Sequence, residues 1–226
     1  MFNLFLITLG IFIILAALLG IFTVVKNPRS RPAWFWFLMS LSISVWGTSH
    51  FLHLTSDDPQ KAIFFAKMLY VGAVFIPIFF YHFVLSFLFL EHHLLKKALL
   101  FIGYLLSLGL AFISLSTDLI VVGVSAQLGF PQWLDPGALH WFLVLHFWVY
   151  VLIAFATLFY YMLRQDGVIR RKAFFIFFAS LFGFLTGGTN FLPQTLGIYP
   201  FGVFVSWIYV FFIAYGVYSD GLKIKI

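Results

Sequence analysis

Residues 62–90, AIFFAKMLYVGAVFIPIFFYHFVLSFLFL, form an unbroken apolar run of 29 residues that carries a single full charge, Lys67. At ~1.5 Å per residue, such a helix outruns a hydrocarbon core of roughly 30 Å, so it crosses a bilayer with tilt and to spare. A wheel of 3.6 residues per turn gathers Lys67, Tyr70, Val74, Tyr81 and Leu85 on one face, with His82 at its margin and Pro77 near mid-run. A charge at the centre of a span costs about 2.5–3.5 kcal/mol on insertion scales, so Lys67 has to be placed. Two placements are open to it. It snorkels to the outer headgroups, or it points into an outward-facing cavity and meets an anionic group such as Asp57 or Asp58.

The rest of the chain obeys the same solvent. With 63% hydrophobic, 22% aromatic and only 9% charged residues, it holds more apolar surface than a soluble core hides. An all-α integral membrane protein of one domain, 1–226, is expected. Spans are read at 4–25, 33–54, 62–90, 98–115, 138–163, 173–192 and 199–218: a seven-transmembrane-helix bundle. The first is too long, and lacks the basic start, for a cleaved signal peptide. KNPRSRP, TSDDPQ, EHHLLKK, RQDGVIRRK and PQTLGI supply short loops. The longer connection, 116–137, contains VVGV and a Gly/Pro/Trp-rich stretch that fits a small hairpin lying on the membrane surface.

Basic residues orient the bundle. The loops after spans one, three and five, with the tail, hold 11 of the 13 lysines and arginines; Lys61 and Lys67 are the other two. By the positive-inside rule the N-terminus is outside and the C-terminus cytoplasmic, which in a bacterium means the inner membrane. The net charge of +6 is thus a topology signal, not a nucleic-acid footprint.

Polar groups collect at the outer ends of four spans. Trp46, His50 and His53 share a face of span two; Lys67 and Tyr70 enter span three; His140 enters span five; Thr186, Thr189 and Asn190, followed by Gln194, end span six. Sparse polar groups among Phe, Trp and Tyr are the make-up of a small-molecule pocket. Trp46, His50, His53, Lys67, Tyr70, His140, Thr186 and Asn190 are therefore the candidate ligand-binding residues, against the alternative that each is interhelical glue. His146, Tyr150 and Thr157 form a deeper stripe on span five. Gly183 and Gly187 on span six, and Gly202, Ser206, Tyr209 and Gly216 on span seven, mark faces of close helix packing.

Several chemistries are disfavoured. Zero cysteines exclude thiolate chemistry and Cys-based zinc or iron–sulfur sites. The seven histidines divide between the two membrane faces, so no metal, haem or other cofactor is expected. Span seven lacks a lysine for retinal, and the spans hold no Asp or Glu to carry protons. Glu91-His92-His93 is the one cluster a lipid-acting enzyme could use, and it reads as a solvated turn. A small transporter or permease is the alternative function; it requires polar residues through the inner half, where His82 and the span-five stripe stand nearly alone.

Three stretches bear a likeness to a known family. They are Asn27-Pro-Arg followed by a span with Trp46; FAKMLYVGAVFIPIFFYHFVLSF, with Gly72, Pro77 and His82-Phe83 in order; and GGTNFLPQTLGIYPFG…IAYGVYSDGLKIKI, with Asn190, Leu192-Pro193, Gly197, Tyr199-Pro200, Gly202 and Ala214-Tyr215. Over nearly its full length the chain resembles the seven-helix N-terminal sensory region of bacterial histidine kinases. The resemblance implies a two-component receptor that reads a stimulus outside or within the membrane and passes a helix movement to a cytoplasmic kinase or other output module. Together with the outer polar cluster it leads to the expectation of a small or lipid-like ligand, signalled through span seven to residues 220–226. The sequence runs to Ile226 with no phospho-acceptor helix or ATP-binding domain. This region is therefore expected to be non-catalytic, with the bilayer, a ligand and an output module as its partners.

Overall fold

The computed structural model describes residues 1–212. Its helices are α1 (Phe2–Lys26), α2 (Arg31–Thr55), α3 (Pro59–Phe87), α4 (Leu94–Ser116), α5 (His140–Arg164) and α6 (Gly167–Gly188). A 3-10 turn (Thr189–Phe191) leads into short α7 (Leu192–Leu196) and then α8 (Val203–Ser206). α8 opens an apolar helical run, Val203–Phe212. The expected end of span seven, with Gly216 and the tail cations, lies outside the described residues.

Local sequence places the boundaries. Pro32 and Pro59 sit in the first turns of α2 and α3, where a missing N–H costs nothing. Asp58 caps α3, its side chain accepting from the Gln60 amide at 2.9 Å. α7 ends on Gly197 in the left-handed region.

Among the described residues five helices are long and apolar enough to cross a membrane: α1, α3, α4, α5 and the continuous stretch Gly167–Leu196. α2 has the same 25-residue length as α1 and α5, but Ser40, Ser42, Ser49, His50 and His53 dilute its apolar character. All five are buried, so α2 turns its polar residues toward protein. α3 is the hub, packing against α2, α4 and α5. Within its most apolar window 56% of residues are buried, against 33% for peripheral α4. The face of α3 read from the helical wheel is correspondingly buried at Tyr70, Val74, Tyr81 and Leu85.

The 116–137 connection contains an antiparallel hairpin, β1 (Val121–Gln127) and β2 (Phe130–Pro136). Val124 pairs with Leu134 and Ser125 with Trp133. Leu128 and Gly129 both have positive φ, as a two-residue turn between twisted strands requires. The hairpin does not lie flat on the surface. Phe130, Trp133 and Leu134 are at most 2% exposed, because the hairpin inserts its apolar face into the open end of the bundle.

The two ends of the bundle differ in chemistry. At the hairpin end, the Lys67 ammonium meets Asp118, the Gln132 amide donates to the Ser56 carbonyl, and Leu139 N–H donates to Leu119. At the other end Arg31 pairs with Glu91 at 3.1 Å, and the Lys96 ammonium lies 5.2 Å over the Tyr161 ring. The loops after α1 and α3 and the end of α5 thus share one basic end, the grouping on which the orientation argument rests.

Candidate functional site

Beneath the hairpin, α1, α2, α3, α5, α6, the 3-10 turn, α7 and the last helical run line a partly open cavity of ≈ 70 Å³, on the measure in which one water takes about 10–15 Å³. Phe12, Trp46, Phe147, Phe184 and Tyr209 form much of its wall, and Leu134 of β2 contributes to its roof. Trp133, the neighbouring residue of β2, is fully buried. Its ring lies 4.6 Å from that of Phe130, 5.2 Å from His50 and 6.2 Å from His53.

Few polar groups reach this space, and most of those lack partners. His50 is 1% exposed, with neither ring nitrogen hydrogen-bonded among the described residues. The Asn190 amide donates to the Gly187 carbonyl at 2.8 Å, which orients its Oδ1 the other way, without a partner. Gln194 Oε1 and Ser180 Oγ are likewise unpaired. Unpaired buried polar atoms each cost about 1–3 kcal/mol, so this set is available to hydrogen-bond a polar group that enters the space. Tyr199, beside the hairpin and stacked on Phe130 at 5.2 Å, also has an unpaired hydroxyl.

The residues singled out in the sequence divide into two groups. Trp46, His50, Tyr70 and Asn190 line the cavity. His53 sits one turn beyond, edge-on to His50 at 5.1 Å and under Trp133. His140 touches the site through the Tyr70 hydroxyl, 2.7 Å from its Nε2. Lys67 stands outside the cavity and binds Asp118 at 2.7 Å, a carboxylate of the long connection and not Asp57 or Asp58. The Thr186 hydroxyl donates within its own helix, to the Phe182 carbonyl at 2.8 Å, and is not among the lining groups.

Phe12 and Leu134 were not singled out in the sequence, and nothing in their local pattern marks them. Tyr209 could be read only as part of a packing face, which it also is: a Cβ on Gly183 would lie 2.9 Å from its ring. Two residues of the deeper stripe on α5, His146 and Tyr150, are interhelical glue. His146 Nε2 lies 3.0 Å from the Ser107 hydroxyl, Tyr150 donates to the Leu99 carbonyl, and Thr157 bonds within its helix.

At the basic end Glu91 is more than a solvated turn residue. It accepts from Arg31 and lies 3.2 Å from His82 Nε2, while His82 Nδ1 contacts the Tyr104 hydroxyl at 2.8 Å and Phe35 stacks on the imidazole at 3.5 Å. Among the described residues no group of three or more His, Cys, Asp or Glu side chains is placed to hold a metal ion.

Neither the curated proteins nor the solved structures include a match to this chain. The family model described as the N-terminal 7TM region of histidine kinase matches residues 6–222, which takes in all of the helices around the cavity. With apolar helices of spanning length arranged about a sparsely polar chamber, the chain belongs to the family of N-terminal 7TM regions of histidine kinases, a membrane sensory domain.

Proposed function

We propose that this chain is a single, non-catalytic receptor domain of two-component type, seated in the bacterial inner membrane with its hairpin end outside. A small ligand enters the chamber beneath the hairpin, and the last helix carries the change to a cytoplasmic kinase or other output module. The observation that carries this reading is the position of Tyr209. Its ring is at once part of the cavity wall, packed on Gly183 of α6 and 5.8 Å from the Phe12 ring of α1. A guest that displaces this ring has to shift the run that leads toward the C-terminal end. Clustering of cations at the opposite end of the bundle supports the orientation.

Trp46, His50, Tyr70 and Asn190 would contact the guest; His53 and His140 would hold the roof and the Tyr70 hydroxyl in place. Lys67 and Thr186 would act on the surrounding structure. A fusion of residues 1–226 to a histidine-kinase core, in membrane vesicles, tests the reading. Gly183→Leu, which drives a side chain into the Tyr209 ring, should change the autophosphorylation rate severalfold relative to the unsubstituted fusion. An unchanged rate would remove the last helix from the signalling route.

A further inference from the structure

We infer that the chamber is built for an uncharged molecule of about ten non-hydrogen atoms, with an apolar body and a hydrogen-bond donor at one end: an alcohol or a primary amide. The assignment rests on the receptor reading above and narrows it to a ligand class.

Size comes from the cavity. A volume of ≈ 70 Å³ corresponds to about five to seven waters, or roughly 150–200 Å³ of liquid, which a closely packed organic molecule of about eight to ten heavy atoms fills. Charge is excluded by the lining. Among the described residues no Lys, Arg, Asp or Glu lines the chamber, and Lys67 is already engaged by Asp118 outside it. An ion placed there would lose its hydration without a counter-charge. The polarity of the guest follows from the free atoms. Asn190 Oδ1 and Gln194 Oε1 are acceptors without donors, Asn190 being 6% exposed, and His50 offers one donor and one acceptor in its neutral form. Two unpaired carbonyl-type oxygens require O–H or N–H groups, and aromatic walls receive the remainder of the molecule.

The position of Gly187 makes the assignment testable. It lines the chamber, and a Cβ there would meet no atom within 4 Å, so a side chain can start there without a clash and Gly187→Val reduces the space left for a guest. Residues 1–226 in lipid nanodiscs are titrated with 8-bromooctan-1-ol, 8-bromooctanoate and 8-bromooctylammonium, reading tryptophan quenching, in which Trp46 is the reporter on the chamber wall. The expected result is a saturable component for the alcohol alone, absent in Gly187→Val and in Trp46→Phe. Affinity should fall about tenfold in Asn190→Leu, as loss of one buried hydrogen bond predicts. Charged probes should show only the linear quenching of bilayer partition.

Saturable, Gly187-dependent binding of the carboxylate at equal or higher affinity overturns the ligand class, makes His50 a cationic partner, and leaves the receptor reading intact. If no probe saturates, the chamber holds water and the assignment fails. The receptor reading is then decided separately by the kinase fusion and its Gly183→Leu variant.

Discussion

The Lys67 ammonium lies 2.7 Å from Asp118, while the Lys67 carbonyl accepts from the Ser114 hydroxyl at 3.0 Å. One residue of α3 is thus tied to both the end of α4 and the connection that follows. The ion pair is lopsided: the lysine side chain is 15% exposed and the aspartate 75%. Water screens the acidic half, so the pair contributes about 0–1 kcal/mol. Asp118→Asn should leave the thermal midpoint within roughly 3 °C of the parent, measured in nanodiscs at moderate salt. A larger loss would mean that Asp118 anchors the hairpin.

At Gly72 the backbones of α2 and α3 approach closely. A Cβ there would sit 2.5 Å from the Trp46 amide nitrogen and 2.7 Å from the Ser42 carbonyl oxygen, backbone atoms that cannot rotate away. Gly72→Ala should therefore cost about 1–3 kcal/mol or more by forcing the helices apart. Since Trp46 lines the cavity, its fluorescence should shift as well. Wild-type stability and emission would show that the helices are spaced more loosely than this geometry.

Trp133 of β2 is fully buried, between Phe130, Phe5 and the two histidines of α2. Trp133→Ala should cost about 3–5 kcal/mol. It should also open the roof, so that acrylamide reaches Trp46. Trp133→Phe restores most of the volume and should recover most of both effects. Equal quenching in all three proteins would show that the hairpin does not seal the chamber.

Glu91 holds the N-terminal turn of α2 to the C-terminal end of α3 through Arg31 and His82. Arg31 is 79% exposed and Glu91 24%, so the two partners should behave differently on removal. Arg31→Ala should change stability by less than about 1 kcal/mol. Glu91→Ala strips a half-buried imidazole of a partner and should cost about 1–3 kcal/mol. Differential scanning calorimetry of both variants distinguishes them, and a reversed order would contradict the geometry.

Much of the bundle was legible because a bilayer imposes one rule on every segment. Backbone groups in hydrocarbon must bond within their own segment, so long apolar runs between Asn-Pro, Asp-Pro and Arg-rich breaks are helices of predictable extent. The run read at 62–90 is α3 at Pro59–Phe87, and 138–163 is α5 at His140–Arg164. The hairpin was legible in position, since VVGV and the Gly/Pro/Trp-rich stretch of 116–137 are local signals. Its insertion was not, because the aromatic face of Phe130 and Trp133 suits a membrane interface as well as a protein core.

The site divides along the same line. Sequence by itself determined that hydrogen-bonding groups concentrate at one end of the helices, since helical rise places Trp46, His50, Tyr70 and Asn190 at similar depth whatever their neighbours. Tertiary structure alone decided which of them face an open space and which are satisfied elsewhere. Lys67 turned outward to Asp118, Thr186 bonded its own helix, and Phe12, Leu134 and Tyr209 arrived from distant segments to close the wall. Depth is a property of one helix and its sequence. A cavity is what remains between helices after every side chain has packed, and no single segment encodes it.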